Sequence, residues 1–235
     1  MSAKDQEGSN LRRFARENSL SLFFFAIFVA ALTGQAIAGH SLYNQEQLTH
    51  GEAGVSLWGY LSTSHFGNAV MENWQSEYLQ FALFAFATVW LLQKGSPESK
   101  ELDKAGTESD ADQKVGRHAN SNSPLWARTG GVRTAIYSNS LIIVMLAIFI
   151  SSWLAQSFTG WSEFNDEQAI HGDPRVSWLS YVGSSTFWEA TFQNWQSEFL
   201  AVGSFAVLVI YLRQRGSPES KPVGASTGDA TGAEG

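Results

Sequence analysis

Four apolar runs, Leu20–Ala38, Tyr78–Leu92, Leu141–Phe158 and Phe199–Leu212, alternate with polar stretches along the chain. The first and third approach the ~20 residues a helix needs to cross a bilayer. The second and fourth fall short alone, and each follows the same pentapeptide, Asn73-Trp74-Gln75-Ser76-Glu77 and Asn194-Trp195-Gln196-Ser197-Glu198. If each span borrows the turn before its run, four crossings result, at about 20–38, 74–93, 139–159 and 195–214. Between spans, Asn44 with Gln47 reads as a helix start, Gly51 as its stop, and a further helix begins near Ser64. Gln93-Lys94-Gly95-Ser96-Pro97 reads as a terminus, with Gly and Pro just past a basic residue. Met1–Asn10 and the mixed-charge stretch Glu98–Arg133 show no apolar period and read as unstructured.

The pentapeptide belongs to a longer repeat. Residues 18–100 align without a gap on 139–221, and roughly 36 of the 83 pairs are identical, as a tandem duplication requires. Gly95-Ser96-Pro97-Glu98-Ser99-Lys100 recurs letter for letter as Gly216–Lys221. Arg12-Arg13 ahead of an apolar run and Ala36-Ile37-Ala38 after it resemble a secretory signal. The matching run at Leu141 is internal, however, so the first span is expected to stay in the protein. The expected organisation is a tail (1–17), repeat 1 (18–100), a linker (101–138), repeat 2 (139–221) and a disordered tail (222–235). The fold class is all-α: an integral membrane protein of four transmembrane helices, arranged as two tandem, parallel-repeat helical hairpins.

Charge sets the orientation. Only 16% of residues are charged, against about 25% in ordinary soluble domains. Arg175 is the only Lys or Arg within the two acidic loops, Ser41–Glu72 and Ser162–Gln193. By the positive-inside rule both termini and the linker face the cytoplasm and both loops face outward. A net charge of −7 gives no support for a nucleic-acid partner. The absence of cysteine excludes disulfides, thiolate metal sites and a cysteine nucleophile.

Candidate chemistry gathers at the outer ends of the spans. Trp74 and Trp195 suit the membrane interface. Glu77 and Glu198 then lie just inside it, at the depth of Gln35 and Gln156, with Asn73 and Asn194 beside them. An amide–carboxyl network locking helices together, a proton or cation site, and a small-ligand pocket walled by Trp74, Trp195, Tyr60 and Tyr181 are all compatible with this set. A small-residue stripe, Ala26-Ala30-Gly34-Ala38, matched by Ala147-Ser151-Ala155-Thr159, reads as a helix–helix seam. Glu46 with His50, and Glu167 with His171, have the spacing of carboxylate–imidazole metal ligands, a weak signal. Arg175 is expected to pair with Asp173 or Glu167. No phosphate-binding glycine loop, H-E-x-x-H or nucleophile elbow is present, so a non-enzymatic role is expected and no cofactor is specified.

Arg16-Glu17-Asn18-Ser19-Leu20-Ser21-Leu22, Trp74-Gln75-Ser76-Glu77-Tyr78-Leu79-Gln80 and Gln93-Lys94-Gly95-Ser96-Pro97-Glu98-Ser99-Lys100 resemble a family of small bacterial multi-pass membrane proteins classed as a domain of unknown function. The resemblance implies a bacterial cytoplasmic-membrane location, with the lipid bilayer as partner, and carries no activity. The leading expectation is a membrane scaffold or interaction module. The alternative is a small proton or cation transporter, or channel subunit, using Glu77 and Glu198. Four helices enclose little space, so that alternative calls for a homo-oligomer.

Overall fold

The computed structural model describes residues 3–228, with side chains from residue 10 onward. Among the described residues the fold is all-α, with nine α-helices. They are α1 (Ala3–Glu17), α2 (Ser19–Thr49), α3 (Leu57–Leu61), α4 (Ser64–Ala87), α5 (Leu125–Thr129), α6 (Gly131–Ser138), α7 (Ser140–His171), α8 (Trp178–Val182) and α9 (Ser185–Tyr211). The chain divides into two compact units, Met1–Gly67 and Asn68–Gly235.

Two helices, α2 and α7, are long and apolar enough to cross a membrane, at 31 and 32 residues. At 1.5 Å per residue each runs about 46–48 Å, well beyond a ~30 Å hydrocarbon layer. Their last turns therefore continue into the loops. This corrects the expectation of a separate helix beginning at Asn44, because α2 runs unbroken from Ser19 to Thr49. Asn44 does not cap a helix. Its Oδ1 accepts the Val55 N–H at 2.8 Å and its Nδ2 donates to the Val55 carbonyl at 3.0 Å. In the second unit Asn165 holds Val176 in the same way, at 2.7 and 3.1 Å. The stop at Gly51 is real: its φ is +80°, a left-handed value that glycine adopts without strain.

α3 and α8 are capped alike, by Ser56 accepting from the Gly59 N–H and Ser177 accepting from the Ser180 N–H. α4 starts at Ser64 as expected, but it ends at Ala87 rather than near Gln93. The Val89 and Trp90 N–H groups tighten onto carbonyls three residues back, and the Val89 carbonyl accepts from Gly106, which draws the chain out of the helix. α4 and α9 have 24 and 27 residues, but the pentapeptide takes up part of each helix ahead of its apolar run.

Three stretches expected to lack structure have it. α1 covers most of the polar N-terminus and is supported by an i,i+4 ion pair, Arg13 to Glu17, at 2.6 Å. The linker contains α5 and α6, joined where the Thr134 hydroxyl donates to the Trp126 carbonyl at 2.7 Å. It also has 3₁₀ turns at Leu102–Lys104 and Gly116–His118. The tail is held as far as residue 228, since Lys221 Nζ donates to the Ser226 and Thr227 carbonyls at 3.2 and 3.4 Å. Residues 229–235, the rest of that tail, lie outside the described ones.

Polarity runs inside out. Gln75, Gln156, Thr191, Ser76, Ser96 and Lys221 are almost fully buried, while Phe23, Phe24, Phe25, Leu141, Val144 and Leu200 are exposed. The expected seam is also displaced. Ala26, Ala30, Gly34, Ala38, Ala147 and Ser151 are exposed, and the buried line on α7 is Ser152-Gln156-Gly160. One residue of register turns that line about 100° from the predicted stripe.

Candidate functional site

The two pentapeptides meet within the second unit, but through their neutral residues. Gln75 is fully buried and its Oε1 accepts from the Trp195 indole at 2.8 Å. Trp195 also packs 5.9 Å from Trp153 and 5.7 Å from Phe192, centroid to centroid. It is turned inward, whereas Trp74 is 37% exposed. Asn73 and Asn194 each donate back to their own helix, to the Ala69 and Ala190 carbonyls, both at 2.8 Å. Gln80 donates to the Glu198 backbone carbonyl at 3.3 Å rather than to its carboxylate. Glu77 is exposed and Glu198 half-buried. Gln35 is half-buried in the first unit and Gln156 fully buried in the second. Gln75 and Gln80 thus reach from α4 to α9, while Asn73 and Asn194 bond only within their own helices.

Glu46, His50, Glu167 and His171 are exposed, and no group of three or more His, Cys, Asp or Glu among the described residues is placed to hold a metal. His50 follows the end of α2, its N–H bonded to the Glu46 and Gln47 carbonyls. Arg175 pairs with Asp166, at 3.8 Å, rather than with Asp173 or Glu167. Both partners are well exposed, so the pair adds little stability.

A further polar cluster joins Gln156 and Tyr181, both candidates from the sequence, to Asn68 and Glu72, which the sequence does not single out. Asn68 and Glu72 stand one turn apart on α4, and the Asn68 Nδ2 donates to Glu72 Oε1 at 3.0 Å. Gln156 and Gly160 stand one turn apart on α7, and Tyr181 comes from α8, only 4% exposed. A methyl group on Gly160 would run into the Tyr181 hydroxyl and lie 2.9 Å from Asn68 Oδ1, so both oxygens converge there. Burial raises the Glu72 carboxyl above its ordinary range, and the neighbouring amides of Asn68 and Gln156 offset part of that. Burial, with Glu72 and Glu163 nearby, pushes the Tyr181 phenol up to about 12, so it stays a donor at physiological pH. The one available signal was the asymmetry of the copies: Asn68, Glu72 and Glu163 stand opposite Glu189, Gln193 and Leu42.

A second cluster forms where the repeated Gly-Ser-Pro-Glu-Ser-Lys loops meet. Gly95 and Gly216 turn with φ near +85° and +83°. Ser99 and Ser220 accept from the Gln93 and Gln214 N–H groups at 2.8 and 2.9 Å. Lys100 Nζ donates to the Gly106 carbonyl at 3.0 Å and pairs with Glu108 at 3.1 Å. The Glu98 carboxyl is raised by burial and by the facing Glu219.

Residues 11–233 match the domain of unknown function DUF6766. The chain belongs to that family. No curated protein and no solved structure matches it. The expected kinship with a family of unknown function thus holds over nearly the whole chain, and DUF6766 brings no activity with it.

Proposed function

We propose that this DUF6766 protein is a four-span, non-enzymatic membrane scaffold of two tandem helical hairpins, presenting its two acidic, aromatic loops outward. In this reading the lipid bilayer of a bacterial cell membrane surrounds it, and both termini and the linker are cytoplasmic. The observation that carries the scaffold role is how the amides in and beside the two pentapeptides are used. Asn73, Gln75, Gln80 and Asn194 are all spent on helix backbones or on Trp195. Groups committed in this way fix helix positions and leave little for chemistry.

The exposed apolar residues and buried polar ones support the membrane setting, since lipid is the solvent that tolerates such an exterior. The repeat reading draws support from equivalent elements: α3 and α8, and the starts of α4 and α9, are each 121 residues apart. The Asn44 and Asn165 clamps brace equivalent loops. Trp58 and Leu179, equivalent positions on α3 and α8, are 79% and 74% exposed, as a presented surface needs.

Photo-crosslinking tests the scaffold. A benzoylphenylalanine replacing Trp58 should give discrete heavier species in native membranes, whereas the same residue replacing Ser109 should not. Crosslinking that is absent or equal at both positions would count against it. The second reading, a proton or cation transporter or channel subunit using Glu77 and Glu198, is favoured by one contact. Gln80 reaches the Glu198 carbonyl, which brings together the turns bearing the two glutamates. Proteoliposome flux that is present in the wild type and lost in Glu77→Gln with Glu198→Gln would establish it; flux that is absent or unchanged would end it.

A further inference from the structure

Gln156 is completely buried beside Glu72, and neither its Oε1 nor its Nε2 completes a hydrogen bond of good geometry. The Asn68 Oδ1 is in the same position. Buried amides are ordinarily satisfied, so two incompletely bonded ones, both beside Glu72, point to something they hold. Asn68 fixes its own orientation: the nitrogen is committed to Glu72, which leaves the oxygen aimed at Gly160. The Tyr181 hydroxyl comes to the same place.

Charge narrows what fits. The groups acting on Glu72 and Tyr181 are Asn68 and Glu72 from α4, Gln156 and Glu163 from α7, and none is basic. A water molecule would satisfy the amides but leave an ionised Glu72 buried without a counter-charge. A cation is held by the amide oxygens and supplies that counter-charge, while the Gln156 Nε2 is left to face the Glu72 carboxyl. The donors are hard oxygens, which select alkali or alkaline-earth ions over softer metals. Glu72 is the one carboxylate in contact with these amides, which suits a single positive charge. The closeness of Tyr181 and Asn68 to Gly160 leaves no room for an organic ammonium.

We propose that Glu72, Asn68, Gln156 and Tyr181 hold a monovalent alkali cation of sodium's size between α4, α7 and α8. The ion ties three elements of the second unit together by oxygens that would otherwise repel. This site differs from the Glu77 and Glu198 pair and does not depend on the scaffold reading.

The test is binding of radiolabelled sodium to the full-length protein in detergent, with melting followed by tryptophan fluorescence. Saturable binding of one equivalent per chain is expected, displaced better by sodium than by potassium and not by choline. Glu72→Gln and Gln156→Leu should each weaken it by at least about tenfold, the lower end of what altering a metal's surroundings does. Glu189→Gln, which removes an exposed carboxylate on α9, should leave it unchanged. Melting should be higher in sodium than in choline at equal ionic strength, a wild-type reading that stands even if a variant fails to fold. No sodium uptake together with identical melting in the three salts would overturn the proposal in favour of buried water. Binding lost in Glu189→Gln but kept in Glu72→Gln would overturn it as well.

Discussion

Glu72 and Glu77 are five residues apart on α4, so their side chains leave the helix about 140° from one another. That angle sends Glu72 into the protein and Glu77 to its surface. Because burial raises the Glu72 carboxyl, the native state takes up a proton more readily than the unfolded chain. The resulting stability is full below the ordinary carboxylate range and is lost as pH rises through the raised value. In sodium-free choline buffer, wild-type melting should therefore fall from mildly acid to neutral pH. Glu72→Gln should flatten that profile and melt higher at neutral pH; an unchanged slope would mean another group is titrating. Gly160→Ala offers a second check. Alanine is about 1 kcal/mol the better helix former, yet its methyl would strike Tyr181 and crowd Asn68. Lower melting is expected in detergent, and higher melting would show that the contact is slack.

At the scale of elements, the loops hang on single side chains. Asn44→Ala or Asn165→Ala strips the Val55 or Val176 N–H of its partner, at a cost of about 0.5–1.5 kcal/mol, the net worth of a hydrogen bond at a half-buried position. Hydrogen exchange at those amides should speed up while exchange within α2 and α7 stays slow. Exchange that does not change would mean the loop is held from elsewhere. The Ser64 start and the Gly51 stop are legible in the sequence because capping and left-handed backbone are local demands. The unbroken course of α2 is not, since Asn44 followed by Gln47 has the look of a cap and only its bond to Val55, 11 residues on, shows otherwise. The early end of α4 is hidden for the same reason, because the Gly106 N–H that takes the Val89 carbonyl lies beyond any local window. Glu72 is not legible in the sequence because no periodicity records which face of α4 meets α7. At the paired loops, Glu98 is raised by burial and Glu219, so that contact is firmer in acid and loosens as pH rises through the raised value. Glu98→Gln should raise melting at neutral pH and leave it unchanged in acid.

For the whole molecule, the testable matter is which side each loop faces. The chain has no cysteine, so any introduced thiol is unique. Ser56→Cys should react with a membrane-impermeant maleimide on intact cells, and Ser109→Cys only after permeabilisation. The reverse pattern would invert the orientation, and equal labelling of both would deny a membrane between them. Lys221 sets a practical boundary of another kind. Its side chain is 2% exposed and its ammonium donates to the carbonyls of Ser226 and Thr227. A chain shortened to Pro222 would lose these two carbonyls from beside a buried ammonium, although residues 223–228 contain no helix. Affinity tags and fluorescent fusions belong beyond Gly228, and a protease that trims the tail one turn further would do more damage than its few residues suggest.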